Sequence, residues 1–173
     1  MKKFFSTLLL AWCFTASVAF AYGYPRFWKG DTNYPLVDGR QSIAWYLDKN
    51  SIKIKFNDPP YYIITAQTIV INDSDYSPGN EKYSNDKEIS STMDYEFFYD
   101  EEELDMRIGD LTISNWRYLR AHEASTAESY HPMSVGEAVF YIATGRKFYG
   151  NYLWKTGDKY FDEFEDVFYK DLR

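Results

Sequence analysis

Thiol chemistry is almost missing from this sequence: the one cysteine, Cys13, stands in an N-terminal stretch that reads as a removable leader. Without it the chain has no disulfide framework, no cysteine nucleophile and no thiolate metal site, so its stability has to come from packing. Histidine is nearly as scarce, with only His122 and His131. There is no G-x-S-x-G, no G-x-G-x-x-G and no phosphate-binding P-loop. His122-Glu123 opens like the zinc motif H-E-x-x-H, but Thr126 occupies the second histidine position. No cofactor is implied, and no catalytic or metal-ligating residue is assigned.

Positive charge is short as well. After removal of residues 1–21, which carry Lys2 and Lys3 and no acid, 17 basic side chains face 26 acidic ones, a balance near −9. That balance argues against nucleic acid as a partner and against charge-driven adhesion to anionic lipid.

The leader has a positive start at Lys2-Lys3, an apolar run from Phe4 to Val18, and the A-x-A pattern Ala19-Phe20-Ala21, so cleavage is expected before Tyr22. An uncleaved anchor and a lipoprotein signal ending at Cys13 are the alternatives; Trp12 is too bulky for the position before a lipidated cysteine. The remaining 152 residues are enough for one domain with a sizeable core. No membrane span is expected after the signal is removed, and the protein is placed in the periplasm or at the cell surface.

What the mature part has in abundance is aromatic residues. All 17 tyrosines lie there, with Trp28, Trp45, Trp116 and Trp154. Such side chains combine a large apolar body with a polar tip, which suits half-buried sheet faces and recognition surfaces.

Residues 22–41 show no clean period and read as an irregular aromatic arm, leaving 42–173 as a single α+β domain. Ser42 to Leu47 and Ser51 to Phe56 alternate around Asp48-Lys49-Asn50, which predicts an antiparallel hairpin. Pro59-Pro60 stops the second strand. Tyr61 to Ile71 is long, β-branched and nearly uncharged, the pattern of a central strand. Residues 72–92 form a long polar loop. Its Asp73, Asp75, Asn80, Glu81 and Asp86 lack the spacing of a calcium loop. Asp94 to Tyr99 and Leu104 to Ile108 predict a hairpin with an acidic tip at 100–103, and Leu111 to Leu119 a further strand.

Ser134 and Glu137 have capping-box spacing, and Val135, Ala138, Val139, Ile142 and Tyr149 share a stripe, which predicts a helix over 134–149. Gly145 is either a close-packing contact or the cap that ends the helix. Asp158 to Leu172 reads as an amphipathic helix with Phe161, Phe164 and Phe168 on its buried side. The fold class expected is α+β: an antiparallel β-meander of five or six strands, a late helix packed on one face, and a C-terminal amphipathic helix.

Two segments carry a resemblance. DPPYYII (58–64) and GEAVFYIATGRKFYG (136–150), behind the Y-L-D-x-x-S-I strand (46–52), resemble a family of small uncharacterised exported proteins of Gram-negative-type Firmicutes. More distantly, the Tyr-Asp-x-x-Ser hairpin and the Pro-x-Ser-x-x-Glu entry to a late helix, at 132–137, are similar to the surface-adhesin protein E type of domain. This resemblance implies an antiparallel sheet with a helix laid on one face. The adhesin type commonly pins its helix with a disulfide, which this chain lacks.

The function expected is non-enzymatic binding of an envelope or host protein, with Tyr24, Trp28, Tyr61 and Trp154 as candidate contacts beside irregular segments. One alternative is a periplasmic hydrolase or metal-dependent enzyme using His122, Glu123, Glu128 and His131. Another is a structural subunit of an envelope assembly, which requires a large exposed apolar patch.

Overall fold

A computed structural model describes residues 24–40, 42–72, 88–110, 113–119, 130–150, 153–156, 159–162, 164 and 166–173. The leader, the segments 73–87 and 120–129, and therefore His122, Glu123, Glu128 and the acidic residues considered for calcium, lie outside the described residues.

Six strands form one antiparallel meander: β1 (Leu36–Arg40), β2 (Ile43–Asp58), β3 (Tyr61–Asn72), β4 (Ser91–Asp100), β5 (Asp105–Asp110) and β6 (Ile113–Tyr118), neighbours in space as in sequence. The helix α1 (Tyr130–Thr144) follows, then a two-stranded hairpin of β7 (Leu153–Thr156) and β8 (Lys159–Asp162), and the short helix α2 (Asp166–Lys170). This is the expected α+β class, with β3 central. Among the described residues no helix is long and apolar enough to cross a membrane.

Alternation on each strand divides the sheet into two unlike faces. Trp45, Leu47, Tyr62, Ile64, Tyr95, Phe97, Tyr99 and Met106 point inward and join Val135, Val139 and Phe140 of α1 in the main core. Its centre is aromatic: the Tyr99 ring lies 4.8 Å from Phe140 and 5.3 Å from Phe148. Full burial of Phe97 and Phe140 contributes about 1.5–3 kcal/mol each. On the opposite, outer face Tyr24, Ala44, Tyr46, Ile69 and Ile71 form a second, smaller core under the N-terminal arm.

Three departures from the sequence pattern matter for the site. The arm is irregular only as far as Pro35; residues 36–40 join the sheet as β1. The predicted hairpin at 48–50 is instead a bulge inside one long strand. Both halves of β2 pair with β3, Ile43–Asp48 against 67–72 and Lys53–Asp58 against 61–65, and the chain reverses at Pro59-Pro60. Asp48 Oδ1 accepts from the Asn50 amide at 2.9 Å, while Ser51 Oγ donates to the Asp48 carbonyl at 2.6 Å and accepts from the Gln67 amide at 2.7 Å. The serine oxygen thus stands in for a ladder carbonyl. Ser51→Ala is expected to cost about 1–2 kcal/mol, read as a lower denaturant midpoint at unchanged slope.

The third departure concerns both helices. The main helix runs over 130–144, not 134–149, so Ser134 is interior and Glu137 caps nothing. Gly145 ends it, at φ +75° with its N–H on the Tyr141 carbonyl at 2.8 Å; this is the capping alternative. Among the described residues of the segment expected to be one helix over 158–172, only α2 is helical, because β8 uses Lys159–Asp162.

Candidate functional site

The outer face beyond the second core is where side chains with binding chemistry gather. Register places Phe56 opposite Ile63, Ile63 opposite Phe98, Phe98 opposite Arg107 and Arg107 opposite Tyr118, a row across five strands. The Tyr61 ring stacks on Phe98 at 6.1 Å and 22°, and Trp116 meets Phe98 edge-on at 6.1 Å. Gly109 makes room for the indole: a Cβ there would lie 2.8 Å from the Trp116 ring. Phe56, Tyr61 and Tyr118 are 44%, 42% and 46% exposed, which is high for large apolar side chains set side by side.

Arg107 sits among these rings, 5.1 Å from the Phe98 centroid and 4.5 Å from that of Tyr118. Asp105 Oδ2 accepts from its Nε at 2.8 Å and from its Nη2 at 2.5 Å, and that bond first of all holds the guanidinium above its ordinary pKa. The result is a flat, half-exposed aromatic platform built around the Arg107–Asp105 ion pair.

A second cluster lies on the inner face. A bulge between Leu36 and Asp38 in β1 turns Asp38 toward α1, where its Oδ2 stands 3.3 Å from His131 Nδ1. The other ring nitrogen, Nε2, is 2.8 Å from the Tyr95 hydroxyl, and the Trp45 ring lies 4.4 Å from the imidazole. Burial, with Asp38 adding to it, pushes the Tyr95 phenol up to about 12. The Tyr95 hydroxyl and His131 Nε2 share a hydrogen bond, while Asp38 Oδ2 and His131 Nδ1 face each other without hydrogen-bond geometry. His131 is only 6% exposed, so the trio ties the start of α1 to β1 and β4 beneath the surface.

Glu137 is the third group with unusual surroundings, and it is wholly buried. Its carboxylate accepts from the Phe148 amide at 2.9 Å, the Tyr149 amide at 2.8 Å and the Tyr169 hydroxyl at 2.7 Å. It fastens α1 to the segment after it and to α2. Every oxygen has a donor, so its work is structural.

The expected contact residues end up in different settings. Tyr61 is on the outer platform. Tyr24 is 7% exposed, its ring laid on Gly39 in the second core, and Trp28 packs against the same core with Tyr34 5.6 Å away. Trp154 belongs to β7, and its side chain is outside the described residues. Of the histidine and glutamate set only His131 is described, and it meets Asp38 and Tyr95. Among the described residues no three His, Cys, Asp or Glu side chains converge as metal ligands.

Sequence reasoning passed over Phe56, Phe98, Arg107, Trp116 and Tyr118. The available signal was the two-residue spacing of Trp116 and Tyr118, which puts them on one face of β6. Comparison with family models, with curated proteins and with solved structures finds no match for this chain.

Proposed function

We propose that this chain is an exported envelope or surface protein that binds a protein partner, without catalysis, through the outer face of its sheet. The observation that carries this reading is the half-exposed row of Phe56, Tyr61, Phe98, Trp116 and Tyr118 around Arg107. Aromatic residues and arginine are the side chains that concentrate binding energy at protein interfaces. Export is supported by the leader pattern of residues 1–21. The competing hydrolytic reading is weakened at its one described member, because a histidine packed against Trp45 at 6% exposure is shielded from substrate.

The test is the double variant Phe56→Ser/Tyr118→Ser. Both rings are more than two-fifths exposed, so the change is expected to move stability by roughly 1 kcal/mol or less. Co-sedimentation of the full chain with envelope fragments of the producing bacterium, and with host extracellular material, is expected to fall about tenfold or more in the variant. Equal retention of variant and wild type on every such material would remove the outer face as the binding surface.

A further inference from the structure

We infer that the partner presents an extended, positively charged polypeptide segment, whose arginine or lysine side chains lie on the outer-face rings and pair with carboxylates at one end of the sheet. This rests on the reading of the outer face as the binding surface and adds the chemistry of its occupant.

The geometry is set by two adjacent turns. The β2–β3 and β4–β5 reversals lie side by side, joined by the Glu101 amide donating to the Pro60 carbonyl at 3.0 Å. Together they bring Asp58, Asp100 and Asp105 into line beside Tyr61, with Glu101, Glu102 and Glu103 in the turn that follows Asp100. Two cations near this end are already committed: Arg107 to Asp105, and Arg146, which lies over the inner-face ring of Tyr62, to Glu101 at 2.7 Å. Asp100 is also engaged, its Oδ1 accepting from the Glu102 and Glu103 amides at 3.1 and 3.2 Å. Asp58, Glu102 and Glu103 are exposed.

The rings show what they accept. Arg107 lies over Phe98 and Tyr118 at cation–π distance, while Phe56 and Tyr61 are more than two-fifths exposed. A second guanidinium or ammonium finds the same two elements, an aromatic face and a carboxylate, within one side chain's reach. The mature chain's balance near −9 adds long-range attraction for such a segment. An acidic partner would be repelled from this edge. A neutral glycan could stack on the rings but would leave the carboxylates unused.

The experiment uses calorimetric titration of the full chain with three probes: an extended peptide alternating arginine and serine, the same peptide with citrulline at every arginine, and a neutral hexose oligomer. Citrulline keeps the planar shape and removes the charge. The arginine peptide is expected to bind about tenfold or more tightly than its citrulline form, and to weaken about tenfold between roughly 0.01 M and 1 M salt. Glu102→Gln/Glu103→Gln and Phe56→Ser/Tyr118→Ser are each expected to reduce that affinity about fivefold or more. Equal binding of the citrulline peptide, or preference for the hexose oligomer with the same sensitivity to Phe56→Ser/Tyr118→Ser, overturns the cationic partner and leaves the outer face as a binding surface. Failure of all three probes overturns the cationic partner, and with unchanged envelope retention of the outer-face variant it overturns the binding surface as well.

Discussion

Replacing Glu137 with alanine is expected to destabilise the fold by about 4–5 kcal/mol and to lower the melting temperature by roughly 10 °C or more. The substitution strands the Phe148 and Tyr149 amides and the Tyr169 hydroxyl in the core, and each buried donor without an acceptor costs about 1–3 kcal/mol. It also leaves a cavity between α1 and α2. Had Glu137 been part of a helix cap, as its spacing from Ser134 suggests, the same change would cost about 0.5–2 kcal/mol. Thermal melts therefore separate the two roles by their size. Glu137→Gln, which keeps one acceptor oxygen but turns an amide group toward backbone donors, is expected to fall between, near about 2 kcal/mol.

The pH dependence of that pair of proteins reports on the carboxylate itself. Burial raises the Glu137 pKa above its ordinary 4.5, against the opposing pull of the Tyr149 amide, the Tyr169 hydroxyl and the Phe148 and Gly150 amides. The folded state then keeps its proton where the unfolded chain has lost one, so this group's contribution declines as pH rises from the ordinary value through the raised one. Glutamine does not titrate. The stability advantage of wild type over Glu137→Gln should accordingly shrink as pH rises through that window. An advantage that grows instead would mean that the donors outweigh the burial.

How far the sequence discloses this fold depends on which force sets each element. The meander was legible because its strands carry two-residue alternation and their turns carry proline, glycine or clustered acids. Residues 48–51 were not, because Asp48 and Asn50 make the same local bond in a reverse turn as in a bulge. What separates the two is the partner strand: Ser51 reaches Gln67, and that contact belongs to the register of β2 on β3. The start of α1 failed in the same way. Ser134 and Glu137 have a cap's spacing, yet Glu137 is held by residues 148, 149 and 169, which no local pattern connects to it. The site was less legible than the fold. Tyr24 and Tyr61 look alike in sequence, each beside a proline-containing turn, but the close approach of Gly39 buries the first and stacking on Phe98 displays the second. Exposure on a sheet is decided by register and by what covers the face.

Gly136→Val is expected to cost about 3 kcal/mol, and the loss is expected to be relieved in part by a second substitution on the sheet. At Gly136 the helix touches β4 and β5 so closely that a Cβ would meet Met106 Sδ and stand 3.0 Å from the Phe97 ring, while the Gly136 carbonyl accepts from the Tyr99 hydroxyl at 2.8 Å. That bond fixes the helix at this separation, so a branched side chain has to displace the helix or the aromatic layer beneath it. Phe97 cannot move aside, because it is fully buried with the Tyr95 ring 5.7 Å away and Tyr99 6.0 Å away. Met106 is the softer neighbour. Met106→Ala alone is expected to cost about 2–5 kcal/mol through the cavity it leaves. In Gly136→Val/Met106→Ala the valine fills that cavity, so the double variant should be more stable than the two losses added together by about 1–2 kcal/mol. Denaturant titrations of the four proteins measure this coupling. Additive losses would mean that the glycine is required for its backbone rather than for the approach of helix to sheet. A favourable coupling would establish that contact as what sets the depth of α1 on the sheet, and with it the position from which Glu137 reaches its three donors.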